Sequence, residues 1–142
     1  MSLPSGTYII RNGDKNVGRR LAEDKSLLPK QVVLLPDGQD STWEIENIGN
    51  DGYLLKNRNS PTANINDQVA ALLIDQESAE KWHLEAVPQH GENRYIITTQ
   101  DQSKGWVAPE ESNEQIKCQP LISTRSFPPL YLPTEVFEIV PA

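Results

Sequence analysis

Four short apolar runs recur three times along this chain of 142 residues, and a repeat of that length narrows the possible folds more than any single motif does. The first copy runs Thr7-Tyr8-Ile9-Ile10-Arg11, Val17 to Leu21, Gln31-Val32-Val33-Leu34-Leu35 and Thr42-Trp43-Glu44-Ile45-Glu46. The second runs Gly52-Tyr53-Leu54-Leu55-Lys56, Thr62-Ala63-Asn64-Ile65, Val69 to Ile74 and Lys81-Trp82-His83-Leu84-Glu85. The third runs Arg94-Tyr95-Ile96-Ile97-Thr98, Gly105-Trp106-Val107-Ala108, Gln119-Pro120-Leu121-Ile122 and Val136 to Val140. The opening tyrosines stand 45 residues (8 to 53) and 42 residues (53 to 95) apart, and the closing aromatics 39 (43 to 82) and 55 (82 to 137). The extra length of the third copy therefore lies between Trp106 and Phe137, and an insertion in a repeat tends to become a loop on one face.

Each run has the pattern of a strand. In Thr42–Glu46 the apolar Trp43 and Ile45 share one face and Glu44 and Glu46 the other. Asn12-Gly13 and Pro36-Asp37-Gly38 supply tight turns, and helical periodicity is absent. Twelve strands in three pseudo-repeats predict an all-β chain of one domain, residues 1–142, with the β-trefoil as its architecture: a closed six-strand barrel capped by three hairpins. Closure removes exposed sheet edges and leaves a platform from which loops project. A three-bladed propeller is a weaker alternative, since propellers start at about four blades. Trp43 and Trp82 alternate with apolar residues and belong in the core, whereas Trp106 follows Lys104-Gly105 and fits either a core or a half-exposed position.

Composition excludes several classes of function. The net charge of −7 opposes a nucleic-acid surface, which needs clustered Lys and Arg. The longest apolar run, Val69 to Ile74, is too short to span a bilayer, and the first residues lack a leader pattern, so a cytoplasmic monomer without membrane contact is expected. Cys118 is alone, so no internal disulfide is possible, and no Cys/His zinc spacing occurs; no metal or cofactor is expected. No Gly-x-Ser-x-Gly motif is present, and His83 and His90 are expected at the surface, so an enzyme fits poorly. Asp67, Asp75 and Glu110-Glu111 suit a solvated face.

The insertion of the third copy contains Ser123-Thr124-Arg125-Ser126-Phe127-Pro128-Pro129 between two apolar runs. A trypsin-like protease takes one long cation onto a carboxylate at the base of its specificity pocket, and the guanidinium of Arg125 suits that partner. Pro128 and Pro129 push the residues before them towards extended backbone, and a loop stiffened in advance loses less entropy on docking. The candidate protease-binding loop is Thr124, Arg125, Ser126, Phe127 and Pro128, with Arg125-Ser126 as the bond presented. The order Thr-Arg-Ser-x-Pro-Pro resembles the binding loop of Bowman-Birk inhibitors, which close it with a disulfide that this chain cannot form.

The whole chain also resembles the mycospin group of fungal β-trefoil serine protease inhibitors. Gly6 to Gly13, Leu21-Ala22-Glu23-Asp24-Lys25-Ser26, Ala71-Leu72-Leu73-Ile74 and Gly105-Trp106-Val107-Ala108-Pro109 carry the likeness. The resemblance implies reversible, trypsin-directed inhibition and a defensive or regulatory role. It also implies two loops that can meet a protease. One lies between the second and third strands and here comprises Lys25, Ser26, Leu27, Leu28, Pro29 and Lys30; Leu28 stands where one member places an asparagine, and suits an apolar pocket better than a trypsin pocket. Lys25 and Lys30 are reserve cations there. The other lies between the last two strands, where another member uses a lysine and this chain has Arg125.

Two rivals remain open at the level of sequence. Trefoil lectins of the ricin type carry Gln-x-Trp near the end of each copy, and the matching triplets Ser41-Thr42-Trp43, Glu80-Lys81-Trp82 and Glu135-Val136-Phe137 lack the glutamine. Related mushroom trefoils inhibit cysteine proteases through other loops.

Overall fold

A computed structural model describes residues 2–142, and all twelve strands lie among them. In chain order they are β1 (Gly6–Asn12), β2 (Lys15–Arg19), β3 (Lys30–Leu34), β4 (Trp43–Gly49), β5 (Gly52–Asn57) and β6 (Ser60–Ile65), followed by β7 (Gln68–Ala71), β8 (His83–Ala86), β9 (Arg94–Thr98), β10 (Gly105–Val107), β11 (Lys117–Gln119) and β12 (Phe137–Pro141). The only helical elements among the described residues are three-residue 3₁₀ turns at Gln76–Ser78, Pro88–His90 and Pro133–Glu135.

Six strands close a barrel: β1 pairs with β4, β4 with β5, β8 with β9, β9 with β12, and β12 returns to β1, all antiparallel. The remaining join, β5 to β8, is made by reciprocal main-chain bonds between Tyr53 and Trp82 of 2.9 and 2.8 Å. The hairpins β2–β3, β6–β7 and β10–β11 form the cap, linked to one another by β3–β7, β7–β11 and a bridge from Val33 to Gln115. This is the β-trefoil that the triple repeat predicts.

The register shows which residues are equivalent. Arg11 faces Asn16, Lys56 faces Pro61 and Thr98 faces Gly105, so Val17, Thr62 and Trp106 occupy corresponding positions one residue further on. In the first two copies the closing tryptophan donates its indole N–H inward, Trp43 to the Val17 carbonyl at 2.7 Å and Trp82 to Thr62 Oγ1 at 2.9 Å. In the third copy the closing residue is the smaller Phe137, and Trp106 takes up the space. Its ring lies 5.7 Å from that of Trp43, 5.5 Å from Trp82 and 6.0 Å from Phe137, the last two edge to face, which is favourable aromatic geometry. Trp106 is fully buried, which settles its place in the core. At the other end Tyr8 donates to the Pro4 carbonyl at 2.7 Å and Tyr53 Oη accepts from the Leu3 N–H at 2.8 Å, so the N-terminal segment is tied to the tyrosines that open the copies. Cys118 is buried in the same core, and burial pushes its thiol pKa up to about 12.

Several strand limits differ from the sequence pattern. The second strand starts at Lys15 because Asn12 and Lys15 pair directly across the Gly13-Asp14 turn; it ends at Arg19, whose side chain turns inward, leaving Leu21 exposed. The eleventh strand is Lys117–Gln119 rather than 119–122, since Trp106 pairs with Cys118 and Pro120 has no N–H to extend the ladder. His83 and His90, expected at the surface, are half-buried.

Trp106→Ala should cost about 3–5 kcal/mol of unfolding free energy, the usual loss for removing a buried large aromatic. A denaturant titration showing less than about 1 kcal/mol, the scale of a surface substitution, would contradict the central position of this ring.

Candidate functional site

The insertion between β11 and β12 folds back on itself, and its closure is non-covalent. Ser123 and Tyr131 form a bridge pair at its base. One step further out, the Thr124 N–H donates to the Leu130 carbonyl at 2.9 Å, and the Leu130 N–H donates to Thr124 Oγ1, also at 2.9 Å. Thr124 Oγ1 lies 2.5 Å from Ser126 Oγ, which donates to the Pro128 carbonyl at 3.0 Å. With the Ser126 hydroxyl proton directed to the Pro128 carbonyl, the hydrogen bond between the two hydroxyls is donated by Thr124. The resulting segment is bent across residues 125–128 instead of running straight as the prolines alone suggest, because the hydroxyl chain draws Pro128 back towards Thr124. Phe127-Pro128 is a cis peptide. Residues 122–128 are exposed, Phe127 at 99%, and among the described residues Arg125 makes no hydrogen bond or ion pair. A free guanidinium at the tip of a braced loop is available to a partner's carboxylate.

Support comes from behind. The 3₁₀ turn Pro88–His90 offers two side chains: Gln89 Nε2 donates to the Pro129 carbonyl at 2.8 Å, and His90 Nε2 accepts from the Tyr131 N–H at 3.0 Å. Beneath, Leu121 and Tyr131 pack on the buried cluster Val87, Ile96 and Val136. Leu121 packs against Gly105: a Cβ there would lie 2.9 Å from Leu121 Cδ1 and 2.9 Å from the Ile97 carbonyl oxygen, and because that main-chain oxygen cannot give way glycine is required. On the other side the buried Glu135 carboxylate accepts from the Ile122 N–H at 2.5 Å and the Leu132 N–H at 2.9 Å. Gln89, His90 and Glu135 were not candidates from the sequence. Of the three, only Glu135 carries a local signal, since Leu132-Pro133-Thr134-Glu135 has proline at the first position of a turn and a carboxylate at the third, a capping arrangement.

The β2–β3 connection is a second braced loop with a different tip. Lys30 contradicts the expectation of a reserve cation: it is 6% exposed, and its ammonium is spent inside the loop on the Asp24 carboxylate, on the Asp24 carbonyl at 3.1 Å and on Ser26 Oγ at 3.3 Å. Asp24 Oδ1 also accepts from the Ser26 N–H at 3.0 Å and its hydroxyl at 2.6 Å. At the loop's start Arg19, itself buried, forms a two-pronged pair with Glu23 at 2.6 and 3.0 Å. Outward stand Leu27 and Leu28, 62% and 68% exposed, with Lys25 and Pro29 also exposed. Of the two lysines of this loop, Lys25 is exposed and Lys30 is buried.

Elsewhere the surface is less suggestive. All three tryptophans are fully buried and cannot stack on a sugar ring. Among the described residues no group of three or more His, Cys, Asp or Glu converges to hold a metal.

The hydrogen bonds from Lys30, then those from Ser26, hold the Asp24 carboxyl pKa down to about 2. Because the folded pKa is depressed, this brace is complete above the ordinary aspartate range and is lost only as pH falls through about 2. A carbon-detected NMR titration should place the Asp24 midpoint near that value; a midpoint at the ordinary aspartate value of about 3.9 would mean the Lys30 contact does not form in solution.

Comparisons with known proteins agree with this architecture. The family model described as Peptidase inhibitor I66 matches residues 1–141. A serine protease inhibitor of Lentinula edodes is 52% identical over 141 residues, covering 98% of each chain. The solved proteinase inhibitor of Coprinopsis cinerea superposes with a TM-score of 0.92 at 35% identity, covering 99% of this chain and 100% of its own. The ricin B-like lectin of Macrolepiota procera, 11% identical with a TM-score of 0.66 over 100% of this chain and 99% of its own, shares the fold alone. With a match over nearly its full length and relatives at these identities, the chain belongs to the peptidase inhibitor I66 family, inhibitors and not enzymes.

Proposed function

We propose that this protein inhibits trypsin-like serine proteases by presenting Arg125 to the specificity pocket as a substrate would. The observation that carries this reading is the free, exposed guanidinium at the tip of a loop braced on both limbs. The serine protease inhibition attributed to the Lentinula edodes relative supports the broader activity. In the complex, the guanidinium pairs with the pocket carboxylate through two parallel hydrogen bonds, and Ser126 lies on the leaving side of the scissile bond. The braced loop arrives with little conformational freedom left to lose, so more of the contact energy appears as affinity.

A second reading applies to the β2–β3 loop, where the exposed Leu27 and Leu28 favour a protease with an apolar pocket. Pro29 follows Leu28, and a proline on the leaving side, lacking an N–H, makes that bond difficult to cut.

Arg125→Glu should abolish trypsin inhibition and leave the thermal midpoint nearly unchanged, whereas Arg125→Lys should be tolerated. Loss of the guanidinium should cost about 2–5 kcal/mol of binding, because the pocket carboxylate is left buried without a partner. Near-native potency of Arg125→Glu against trypsin would refute the assignment. Leu28→Ala should leave trypsin inhibition within about a few fold and should reduce any inhibition of chymotrypsin or elastase; a loss of about a hundredfold on trypsin, or 2.7 kcal/mol, would make the β2–β3 loop the main site.

A further inference from the structure

Glu135 has two hydrogen-bond partners with different consequences. Its bond to the Leu132 N–H closes the 3₁₀ turn Pro133–Glu135 and needs no explanation beyond capping. Its bond to the Ile122 N–H is not required by that turn, because Ile122 lies on the opposite limb of the arginine loop. Glu135 is 2% exposed, and among the described residues its carboxylate accepts from main-chain N–H groups and not from a cation. Removing a carboxylate from water is costly, and here the return is a brace across the root of segment 123–131. The turn that carries Glu135 is itself secured, since Asn12 Nδ2 donates to the Pro133 and Val136 carbonyls, both at 2.9 Å. The Thr124–Leu130 contacts form the next rung, and the Ser126–Pro128 contact the last before the tip.

We propose that Glu135 is a positioning residue for inhibition, holding the two limbs together so that the Arg125-Ser126 bond resists net cleavage. The proposal rests on the assignment of Arg125 as the residue in the protease pocket. When the protease serine attacks the Arg125 carbonyl, an ester to the serine oxygen forms and the bond to the Ser126 nitrogen breaks. The proton of the serine hydroxyl passes through the protease histidine to the departing amine. In a slack loop that amine drifts away and water hydrolyses the ester. With Ile122 and Leu132 tied to one carboxylate, the Ser126 amine stays beside the ester and attacks it in reverse, restoring the peptide bond and the free enzyme. The brace thus separates inhibitor from substrate by limiting what the cut loop can do.

Two variants test this. Glu135→Gln leaves one acceptor oxygen and turns an NH₂ group towards a main-chain N–H. Leu132→Pro keeps the carboxylate and deletes one donor at a residue whose φ of −67° already suits proline. Each is incubated with a catalytic amount of trypsin, with intact and cut chains followed by mass spectrometry and inhibition measured in parallel. Both variants should be cut at Arg125-Ser126 about tenfold faster than the wild type or more, and inhibit correspondingly more weakly, a change of about 1.4 kcal/mol or above. A role confined to folding would lower the thermal midpoint without directing cleavage to this bond. Wild-type inhibition and an intact bond in both variants, with inhibition still abolished in Arg125→Glu, would overturn the proposal for Glu135 alone. Persistent inhibition by Arg125→Glu would remove the assignment beneath it. Should Glu135→Gln fail to fold, Leu132→Pro decides the outcome.

Discussion

The molecule is organised around a packing problem at its centre. A closed barrel with three-fold pseudosymmetry brings three equivalent positions to one axis, and the side chains placed there must fill one shared space. The chain answers asymmetrically: Trp43 and Trp82 each donate an indole N–H to their own copy, while Phe137 gives up volume to Trp106, whose ring meets all three. Interiors tolerate neither overpacking nor empty space, so the two departures from symmetry depend on each other. The third copy is consequently the one whose local structure differs, and it also holds the long insertion. The ladder that begins at Gly105 and Trp106 leads through β10 and β11 into the arginine loop, and Gly105 is the point at which Leu121 docks.

Much of the fold was legible because barrel strands are written in a period of two and punctuated by turns. Tyr8, Tyr53 and Tyr95 mark the start of each copy, and Trp43, Trp82 and Phe137 the end, whatever happens between them. Trp106 was ambiguous because its neighbours Lys104 and Gly105 are those of a loop, and only register with Val17 and Thr62 reveals its depth. The limits of β2 and β11 were misplaced where a side chain, not a strand pattern, ends the ladder: Arg19 turning in, Pro120 lacking a donor.

The tip of the candidate site was legible and its support was not. Thr124, Arg125 and Ser126 are adjacent in sequence, so their chemistry can be read in a glance. Gln89 and His90 reach the loop from a turn some forty residues earlier, as the separations of 40 and 41 residues show. No periodicity encodes such a contact. Lys30 was misjudged for a related reason: a lysine beside an exposed loop looks available, yet Asp24 and Ser26 place acceptors around its ammonium and draw it inside. Both loops are braced by internal polar contacts, Glu135, Thr124 and Ser126 in one and Lys30, Asp24 and Ser26 in the other, with Arg125 and Phe127 outward from the first and Lys25, Leu27 and Leu28 outward from the second.

Closing an exposed loop with hydrogen bonds has a chemical consequence that a cystine-closed loop does not share. Nothing in the brace from Glu135 to Ser126 can be reduced, and the one thiol in the chain, Cys118, lies in the core with its pKa pushed up to about 12 by burial. At neutral pH almost none of it is thiolate, the form that exchanges with disulfides or binds oxidants. The shape of the arginine loop is therefore independent of the glutathione poise around it, and the protein can present the same surface in a reducing cell interior and in an oxidising medium.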